Sequence, residues 1–344
     1  MAAKRKRKKS KSKSRKLAWL LGLFFLASIV IYAVTGVWYV HHPADWHAQT
    51  EAGWPGFITA PLLWIGNPLG DICDALDLTG TDAVYEYDEE APAGEIFFAG
   101  APKRIGEPCP DDIEILERGE FKIGWSPSLR HPVWCAYHVP REVRYPAGER
   151  PNFVRDKAIA SSPSASDYQG SGYDRGHMVP NYAIVSRYGS EIQRLTFMMS
   201  NIAPQSPSLN RGVWRQLEHR IAEFWTNRYG EIWVIVGCIS KTENGETLSG
   251  RNIDVPQSFY QVVVAQTGLE VRAFAVLIEQ SVSWKSWPTS HLITIDELEA
   301  RSGLDFLPDL PFFIQTPLEA QLPSRLWPIN KSDIFKLIAL RFNR

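Results

Sequence analysis

The sequence predicts an α+β domain with a largely antiparallel central sheet and packed helices, preceded by one N-terminal transmembrane helix. Three observations support this class. Several short runs are rich in Val, Ile, Phe, Tyr and Trp, which is typical of strands. Residues 211–229 repeat their apolar positions at steps of three and four, which is typical of an amphipathic helix. Residues 17–40 form a run of 24 residues without a charge.

The N-terminus combines a basic run with an apolar run. Ten of the first 16 residues are Lys or Arg and none is acidic, although the whole chain of 344 residues has a net charge of −1. As a helix, residues 17–40 would span about 36 Å, enough to cross a bilayer core. Because the basic side of such a helix stays in the cytoplasm, we expect a cytoplasmic tail over residues 1–16 and a single-pass anchor over 17–40. The remainder would lie in the bacterial periplasm or, alternatively, outside the mitochondrial inner membrane.

Two other interpretations of the apolar segments are weaker. A cleavable signal peptide has a shorter apolar region than residues 17–40 and a small-residue cleavage site. A second apolar stretch, residues 54–69, contains three prolines, so its uninterrupted pieces are too short to cross a bilayer. If it did cross, the downstream domain would face the cytoplasm.

Composition divides the rest of the chain into three parts. Residues 41–115 form a connector rich in Pro, Gly and Asp, to which we assign no role. Residues 116–320 have the pattern of one globular domain, and residues 321–344 form a C-terminal extension. Four cysteines allow either two disulfides or four free thiols, and their spacing matches no zinc site. They are Cys73, Cys109, Cys135 and Cys238.

The globular part contains five expected strands and two expected helices. Thr267 and Gly268 predict a hairpin turn between the last two strands. The helix over residues 211–229 can end at Gly230, and a second helix is expected over residues 295–302 with Thr294 as its N-cap. The five strands are expected over residues 132–139, 195–199, 231–240, 258–266 and 271–280.

The charge of the body is uneven. Residues 17–344 have a net charge of −11, which argues against a nucleic-acid partner. Residues 141–220, however, contain eleven Lys or Arg residues against seven Asp or Glu residues. This local excess favours weak, salt-sensitive contacts with phosphates and no readout of base sequence.

A group of polar residues in the same region can carry chemistry. His177 has an ordinary pKa near neutrality, which suits a general base. Arg175 can hold a phosphate through two hydrogen bonds. The group consists of Asp174, Arg175, Gly176, His177, Asn201, Asn210 and Glu218.

Two members of this group suit a metal ion. Asn210 offers a neutral oxygen ligand to Mg²⁺, and Glu218 can accept hydrogen bonds from the waters of such an ion. On a regular helix the two residues would be about 12 Å apart along the axis, so we expect a water-bridged role for Glu218. The whole group predicts metal-assisted attack on a phosphodiester. Simpler roles are a helix cap for Asn210 and a solvated surface position for Glu218.

At these residues the sequence resembles the DNA/RNA non-specific endonucleases, the family of mitochondrial endonuclease G and the secreted sugar-non-specific nucleases. The Asp-Arg-Gly-His sequence at residues 174–177 resembles the family signature. The Asn-Ile-Ala-Pro-Gln sequence at 201–205, followed by Asn210, resembles the second family block with its spacing. The resemblance covers about residues 115–312.

The resemblance implies a ββα-metal, or His-Me finger, nuclease site. It implies that His177 activates the attacking water and that Asn210 is the protein ligand of a single Mg²⁺, with Mn²⁺ as an alternative ion. It further implies that Glu218 orients a metal-bound water, and that Arg175 and Asn201 support the site.

The resemblance also implies a phosphate-binding arginine upstream, a role that Arg150 or Arg155 could fill. Members of the family release products with 5′-phosphates. Dimers occur in the family, so a homodimer is one expectation.

Together, these features predict a membrane-anchored, Mg²⁺-dependent endonuclease that hydrolyses DNA and RNA with little sequence specificity. Two alternatives stay open, a phosphodiesterase acting on small nucleotides and an inactive nuclease fold used as a binding module. Cleavage of plasmid separates the first alternative from the prediction.

Overall fold

The computed structural model divides the chain into two compact units, residues 1–73 and 74–344. In the first unit, residues 22–23, 26–31 and 34 are described, and they are helical. No helix among the described residues is long and apolar enough to cross a membrane. Most of the predicted anchor and all of residues 54–69 lie outside the described residues. In the second unit the structure describes residues 84–86, 93–241, 245–248, 250–284, 286–333 and 336.

The described part of the second unit contains twelve strands. Apart from the 195–199 segment, each predicted strand is confirmed to within one or two residues. The strands are β1 (Val84–Glu86), β2 (Lys103–Arg104), β3 (Glu114–Glu117), β4 (Phe121–Ser126), β5 (His131–Val139), β6 (Asp174–His177), β7 (Ile202–Gln205), β8 (Ile232–Ile239), β9 (Ser258–Thr267), β10 (Glu270–Glu279), β11 (Leu292–Ile293) and β12 (Leu304–Asp305).

The same part of the chain contains four longer helical segments. They are α1 (Asn181–Thr196), α2 (residues 209–229), α3 (Ile295–Ser302) and α4 (Phe312–Ala320). The predicted N-cap is confirmed, because Thr294 Oγ1 accepts a hydrogen bond of 3.0 Å from the amide of Glu297. The predicted helix over 211–229 is also present and begins two residues earlier.

Eight strands form one antiparallel sheet. Its order is β1-β10-β9-β8-β5-β4-β3, and β11 pairs with β10. The predicted hairpin between β9 and β10 is confirmed, with Thr267 opposite Glu270 and Gly268 at a positive φ of 60°. Because glycine adopts positive φ without steric cost, Gly268 suits this tight turn. Two further pairs, β2 with β12 and β6 with β7, lie outside the large sheet.

Both faces of the large sheet are covered by apolar side chains. Tyr137 of β5 belongs to one core, together with Leu217 and Trp225 of α2. Trp134 of the same strand belongs to a second core, together with Leu298 of α3 and residues of α4. Strands buried on both faces are nearly continuously apolar, which is why their sequences lack a clear alternation.

The predicted strand over residues 195–199 is wrong. The first two of these residues end α1, and Met199 begins a short 3₁₀ turn, Met199–Asn201. Leu195 packs against the first core at helical spacing from Ile192, in the part of α1 that follows a kink at Gly189. The apolar residues therefore continue the buried face of a helix, α1, that the sequence analysis did not identify.

Segments on either side of residues 116–320 contribute to the cores. Phe98 and Cys109 are buried in the second core, and Trp327 is buried in the first. Trp225 Nε1 donates a hydrogen bond of 2.9 Å to the carbonyl oxygen of Trp327. Three of the four cysteines are buried free thiols, and Cys73 lies outside the described residues. The described cysteines are Cys109, Cys135 and Cys238.

Candidate active site

The two sequence motifs form a small antiparallel pair, β6 with β7, and α2 follows β7 after three residues. This arrangement brings His177 of β6 and Asn210 of α2 to one cleft. Gly176 is required within the pair, because a Cβ atom at this position would lie 2.2 Å from Gln205 Oε1. The local fold is therefore a ββα unit whose strand and helix both contribute side chains to the cleft.

His177 is almost fully buried, with 8% of its surface exposed. Its ring centroid lies 5.2 Å from that of Phe153 and 4.8 Å from that of Phe197. Burial, assisted by the positive charge of Arg150, lowers the pKa of His177 to about 3. The imidazole is therefore neutral at pH 7. Its Nε2 atom is buried and has no hydrogen-bond partner among the described residues, and the residue as a whole lines the cleft.

Asp174 connects β6 to the beginning of α2. Its Oδ2 atom accepts hydrogen bonds of 2.9 Å from Asn210 Nδ2 and 2.7 Å from Arg211 Nε. Burial alone would raise the pKa of Asp174, but the hydrogen bonds from Arg211 and Asn210 hold it below its usual value. Because the Asn210 nitrogen is held by this carboxylate, its Oδ1 atom is the end of the amide that can bind a ligand.

The helix α2 is not a regular α-helix. Gly212 has a non-helical backbone conformation, with φ −98° and ψ −113°. A regular helix between Asn210 and Glu218 was assumed from the sequence, and that assumption is wrong. A π turn holds more residues than an α turn, so it changes the direction in which the side chains that follow it point. The π-helical segments are Leu209–Trp214 and Arg220–Trp225, and the α-helical segments are Arg215–His219 and Thr226–Tyr229.

Glu218 lines the same cleft as Asn210 and is half-buried. Burial raises the pKa of Glu218 to about 8, against the opposite effect of Arg150 and Arg215. A cation in the cleft would favour the ionised carboxylate. This position is compatible with a carboxylate that accepts hydrogen bonds from the waters of an ion, which stays a prediction.

The cleft has a volume of about 800 Å³ and contains four arginines. The guanidinium of Arg175 lies 5.5 Å from the centre of the Phe153 ring, and its Nε donates a hydrogen bond of 3.0 Å to the carbonyl oxygen of Ala165. These contacts hold the guanidinium plane at the cleft wall. The four arginines are Arg150, Arg175, Arg211 and Arg215. They belong to the segment 141–220, whose excess of cations was noted in the sequence.

The sequence left open which of two upstream arginines, Arg150 or Arg155, lies near the site. The structure distinguishes them by their positions. Arg150 lines the cleft, and its guanidinium lies 5.4 Å from the centre of the Phe197 ring. Arg155 does not line the cleft, and its guanidinium donates a hydrogen bond of 2.8 Å to the carbonyl oxygen of Ala160. Of these two arginines, Arg150 is the one that lines the cleft together with His177.

Asn201 lies behind the cleft and does not line it. It is fully buried, and its Oδ1 atom accepts a hydrogen bond of 3.0 Å from the amide of Val179. Its Nδ2 atom donates to the carbonyl oxygens of Val179, at 3.0 Å, and Thr196, at 2.9 Å. Asn201 thus ties the chain after His177 to the end of α1, as a positioning residue.

The donor atoms of the cleft fit a hard cation. Asn210 offers an amide oxygen whose orientation is set by Asp174. Glu218 adds a carboxylate on the same cleft wall. Mg²⁺ prefers oxygen ligands and keeps several of its waters, so a small number of protein oxygens suits it better than a complete protein cage would.

The sequence analysis did not assign several other residues of the cleft to the site. Arg211 and Arg215 lie four positions apart, a spacing that places both on one face of the regular helix predicted from the sequence and that could have been recognised. Trp284 follows β10, is distant in sequence from both motifs, and is 47% exposed. His219 lies beside Glu218 and also lines the cleft. No sequence pattern indicated Trp284 or His219.

The sequence of this chain is similar to those of several known nucleases. The chain is 29% identical to the mitochondrial nuclease EXOG of Mus musculus over 207 residues, which are 55% of each protein. It is 28% identical to a nuclease of Nostoc sp. over 223 residues, 61% of this chain and 79% of that protein. It is also 28% identical to mitochondrial endonuclease G of Bos taurus over 236 residues, 64% of this chain and 76% of that protein. The chain thus matches about half the length of the mouse relative.

A solved structure has the same fold. The crystal structure of the EndoG/EndoGI complex aligns with a TM-score of 0.53 and 23% identity, over 60% of this chain and 90% of that one. This likeness confirms the predicted fold, a ββα-metal type with a central antiparallel sheet and packed helices. The model of the DNA/RNA non-specific endonuclease family matches residues 102–313. Since this match includes more than half of the residues, the chain belongs to the DNA/RNA non-specific endonuclease family.

Proposed function

We propose that this chain is a Mg²⁺-dependent endonuclease that hydrolyses the phosphodiester bonds of DNA and RNA with little sequence specificity. One observation carries the proposal: His177, whose imidazole is neutral, lines the same arginine-lined cleft as Asn210, whose amide nitrogen is held by Asp174. A proton acceptor, a cation ligand and phosphate-binding cations are the groups that metal-assisted hydrolysis of a phosphodiester requires.

His177 is the proposed general base. Its imidazole would accept a proton from the water that attacks phosphorus. Burial among aromatic rings keeps the imidazole neutral before substrate binds. A phosphodiester in the cleft would add negative charge near the ring and stabilise the imidazolium after proton transfer. The base would therefore gain strength when the substrate is in place.

Asn210 and Glu218 are the proposed metal-site residues. Asn210 would hold the ion through Oδ1, and Glu218 would accept hydrogen bonds from its waters. When bound, Mg²⁺, or Mn²⁺ in its place, supplies Lewis-acid stabilisation of the charge that develops on the phosphate and leaving-group oxygens. Asp174 would act by orienting the Asn210 amide.

The arginines of the cleft are the proposed substrate-binding residues. Arg150 and Arg175 would hold phosphate oxygens on either side of the scissile bond. Because phosphates are identical in every sequence and in both DNA and RNA, contacts of this kind bind without discriminating among bases or sugars. This accounts for the low specificity that we propose.

Digestion of nucleic acids tests the proposal. The full-length chain is incubated with supercoiled plasmid and with RNA, in Mg²⁺ or in EDTA, beside His177→Ala and the nearly isosteric His177→Asn. We expect cleavage of both polymers in Mg²⁺, no cleavage in EDTA, and a loss of at least about a hundredfold in both variants.

Folding of the variants is checked by circular dichroism, so that an inactive variant is not an unfolded one. A folded parent that cleaves neither polymer in Mg²⁺ would contradict the proposal. Hydrolysis of bis(p-nitrophenyl) phosphate by such a protein would instead favour a phosphodiesterase acting on small substrates. Full activity of the folded His177 variants would favour a different base.

The N-terminal segment is proposed to anchor the enzyme. Its support is the sequence: residues 1–16 are strongly basic and residues 17–40 are uncharged. The enzyme domain would then lie outside the cytoplasm, away from the genome of the cell. Alkaline carbonate extraction of membranes tests this, because an anchored full-length chain stays in the pellet whereas a chain without residues 1–40 is released. Release of the full-length chain would contradict it.

A further inference from the structure

Three carboxylates cluster between α3 and α4. Asp296 and Glu299 lie three positions apart on α3, and Glu319 lies near the end of α4. One oxygen atom from each lies within 4.8 Å of the other two. None of these residues lines the candidate active site. Their helices contribute to the second core, whereas α2 contributes to the first, so the cluster and the cleft belong to opposite faces of the sheet.

Glu319 provides a second, independent observation. Only 4% of its surface is exposed, and its Oε1 atom is buried without a hydrogen-bond partner among the described residues. This carboxyl group points into the cluster, because it supplies one of the three neighbouring oxygens. A buried carboxylate oxygen without a partner is costly, and its cost falls when a cation coordinates the group. A cation bound to this carboxyl group would remove that cost.

We propose that Asp296, Glu299 and Glu319 bind a divalent cation of the Ca²⁺ class, which joins α3 to α4. This site is separate from the candidate active site. Its occupant acts on the stability of the fold and takes no part in phosphodiester chemistry.

The geometry suits Ca²⁺. With Ca²⁺–oxygen distances of about 2.3–2.6 Å, ligands on opposite sides of the ion are roughly 5 Å apart and adjacent ligands are closer. Separations of up to 4.8 Å within the cluster fit this range. Three carboxylates also favour Ca²⁺ over Mg²⁺, since Mg²⁺ usually keeps several waters and takes one or two carboxylates.

The surroundings hold the ligands in place. Glu299 Oε1 accepts a hydrogen bond of 2.7 Å from the amide of Phe306, which fixes this carboxylate and leaves lone pairs for a cation. In the described part of the chain none of the three ligands forms an ion pair with Lys or Arg. By contrast, Glu297, on the same helix, pairs with Arg301. The charge of the cluster is therefore available to an added ion.

Direct binding of Ca²⁺ tests the proposal. Bound Ca²⁺ is measured by equilibrium dialysis of the full-length chain, in an Asn210→Ala background that removes the candidate active-site ligand. We expect one bound ion with an affinity on the order of 0.1–1 mM or tighter. Asp296→Asn, at an exposed position, weakens binding by about tenfold or more, and Glu319→Gln abolishes it. The matched control Glu297→Gln binds as the parent does.

Thermal unfolding adds a readout that does not depend on stoichiometry. Ca²⁺ raises the unfolding temperature of the parent and of Glu297→Gln, and it leaves that of Glu319→Gln unchanged. Without Ca²⁺, Glu319→Gln is at least as stable as the parent, since it removes a buried carboxyl group that lies beside two others.

Two outcomes would overturn the proposal. One is the absence of bound Ca²⁺ in the folded Asn210→Ala protein. The other is equal binding by the parent, Asp296→Asn and Glu319→Gln. If Glu319→Gln fails to fold, Ca²⁺ binding by Asp296→Asn, which changes an exposed residue, still tests the proposal. Neither outcome bears on nuclease activity, because the cluster lies outside the cleft.

Discussion

Asp174 Oδ2 accepts a hydrogen bond of 2.9 Å from Asn210 Nδ2, so the carboxylate on β6 sets which end of the α2 amide faces the cleft. The same oxygen accepts from Arg211 Nε at 2.7 Å. A hydrogen bond between two side chains thus couples the strand that carries His177 to the helix that carries the proposed metal ligand. The relative position of β6 and α2 at the cleft is fixed in part by this hydrogen bond.

Replacing Asp174 with Asn should weaken metal binding at the proposed site. The neutral amide loses the charge-assisted bonds that orient Asn210, and residues that orient metal ligands are typically worth 10–100-fold in affinity or activity. We expect about a tenfold higher Mg²⁺ concentration for half-maximal plasmid cleavage, with most of the activity restored at high Mg²⁺. An unchanged Mg²⁺ dependence, beside the distant control Glu297→Gln, would show that this orientation is unimportant.

His177 should make the fold sensitive to acid. Its folded pKa of about 3 lies below the ordinary value of 6.5. Below pH 6.5 the unfolded chain binds a proton that the folded chain does not, so the parent loses stability as pH falls towards 3. His177→Gln lacks this titration.

Urea unfolding at pH 7, 5.5 and 4.5 measures the effect. Relative to His177→Gln, the parent should lose about 2–3 kcal/mol of unfolding free energy between pH 7 and pH 4.5. Parallel pH profiles of the two proteins would mean that His177 is protonated as readily in the folded chain as in the unfolded one.

Arg150 and Arg155 form a matched pair for testing phosphate binding. Arg150 lines the cleft, whereas Arg155 bonds to a backbone carbonyl outside it. We expect Arg150→Gln to raise KM for plasmid by about tenfold and to reduce the dependence of KM on salt. Arg155→Gln should behave like the parent in both measurements. Equal effects of the two substitutions would indicate that bulk charge, not the position in the cleft, governs binding.

Trp284 offers an exposed aromatic face to the cleft. It is 47% exposed, and it lies beside α2, 4.0 Å from the position that a Cβ atom on Gly212 would occupy. Stacking of a base on such a side chain is worth roughly 1–3 kcal/mol. Trp284→Ala should therefore raise KM for single-stranded DNA by about tenfold and leave the Mg²⁺ dependence unchanged. An unchanged KM would show that bases do not reach this ring.

Local sequence patterns were sufficient for much of the fold. The strands β5, β8, β9 and β10 are dense in β-branched and aromatic residues, and such runs form strands wherever both faces are covered. The turn at Thr267 and Gly268 and the cap at Thr294 depend on neighbouring residues alone, and both are present. Where periodicity was ambiguous, as at residues 195–199, the structure forms the end of a helix instead.

The residue types of the candidate site could be predicted from the sequence, but their arrangement could not. The motif residues were recognisable because the chemistry needs a fixed order of residue types, Asp-Arg-Gly-His followed by an asparagine at a set distance. The π turns of α2 were not, since they arise from how the helix packs on the sheet. The choice between Arg150 and Arg155 depends on where a loop lies in space, and residues five positions apart in a loop differ in no sequence pattern.

The amino-acid sequence alone determined the apolar runs, the turns and the helix cap, because each depends on residues a few positions apart. It also showed the Asp-Arg-Gly-His motif and the asparagine block, through their resemblance to a known family. Contacts between distant segments settled the rest. Trp284 reaches the cleft from beyond β10, Phe98 and Trp327 enter the cores from outside residues 116–320, and Glu319 meets Glu299 across two helices. The burial that makes His177 neutral, and that leaves the Oε1 atom of Glu319 without a hydrogen-bond partner among the described residues, is a property of packing. It arises only when the chain has folded.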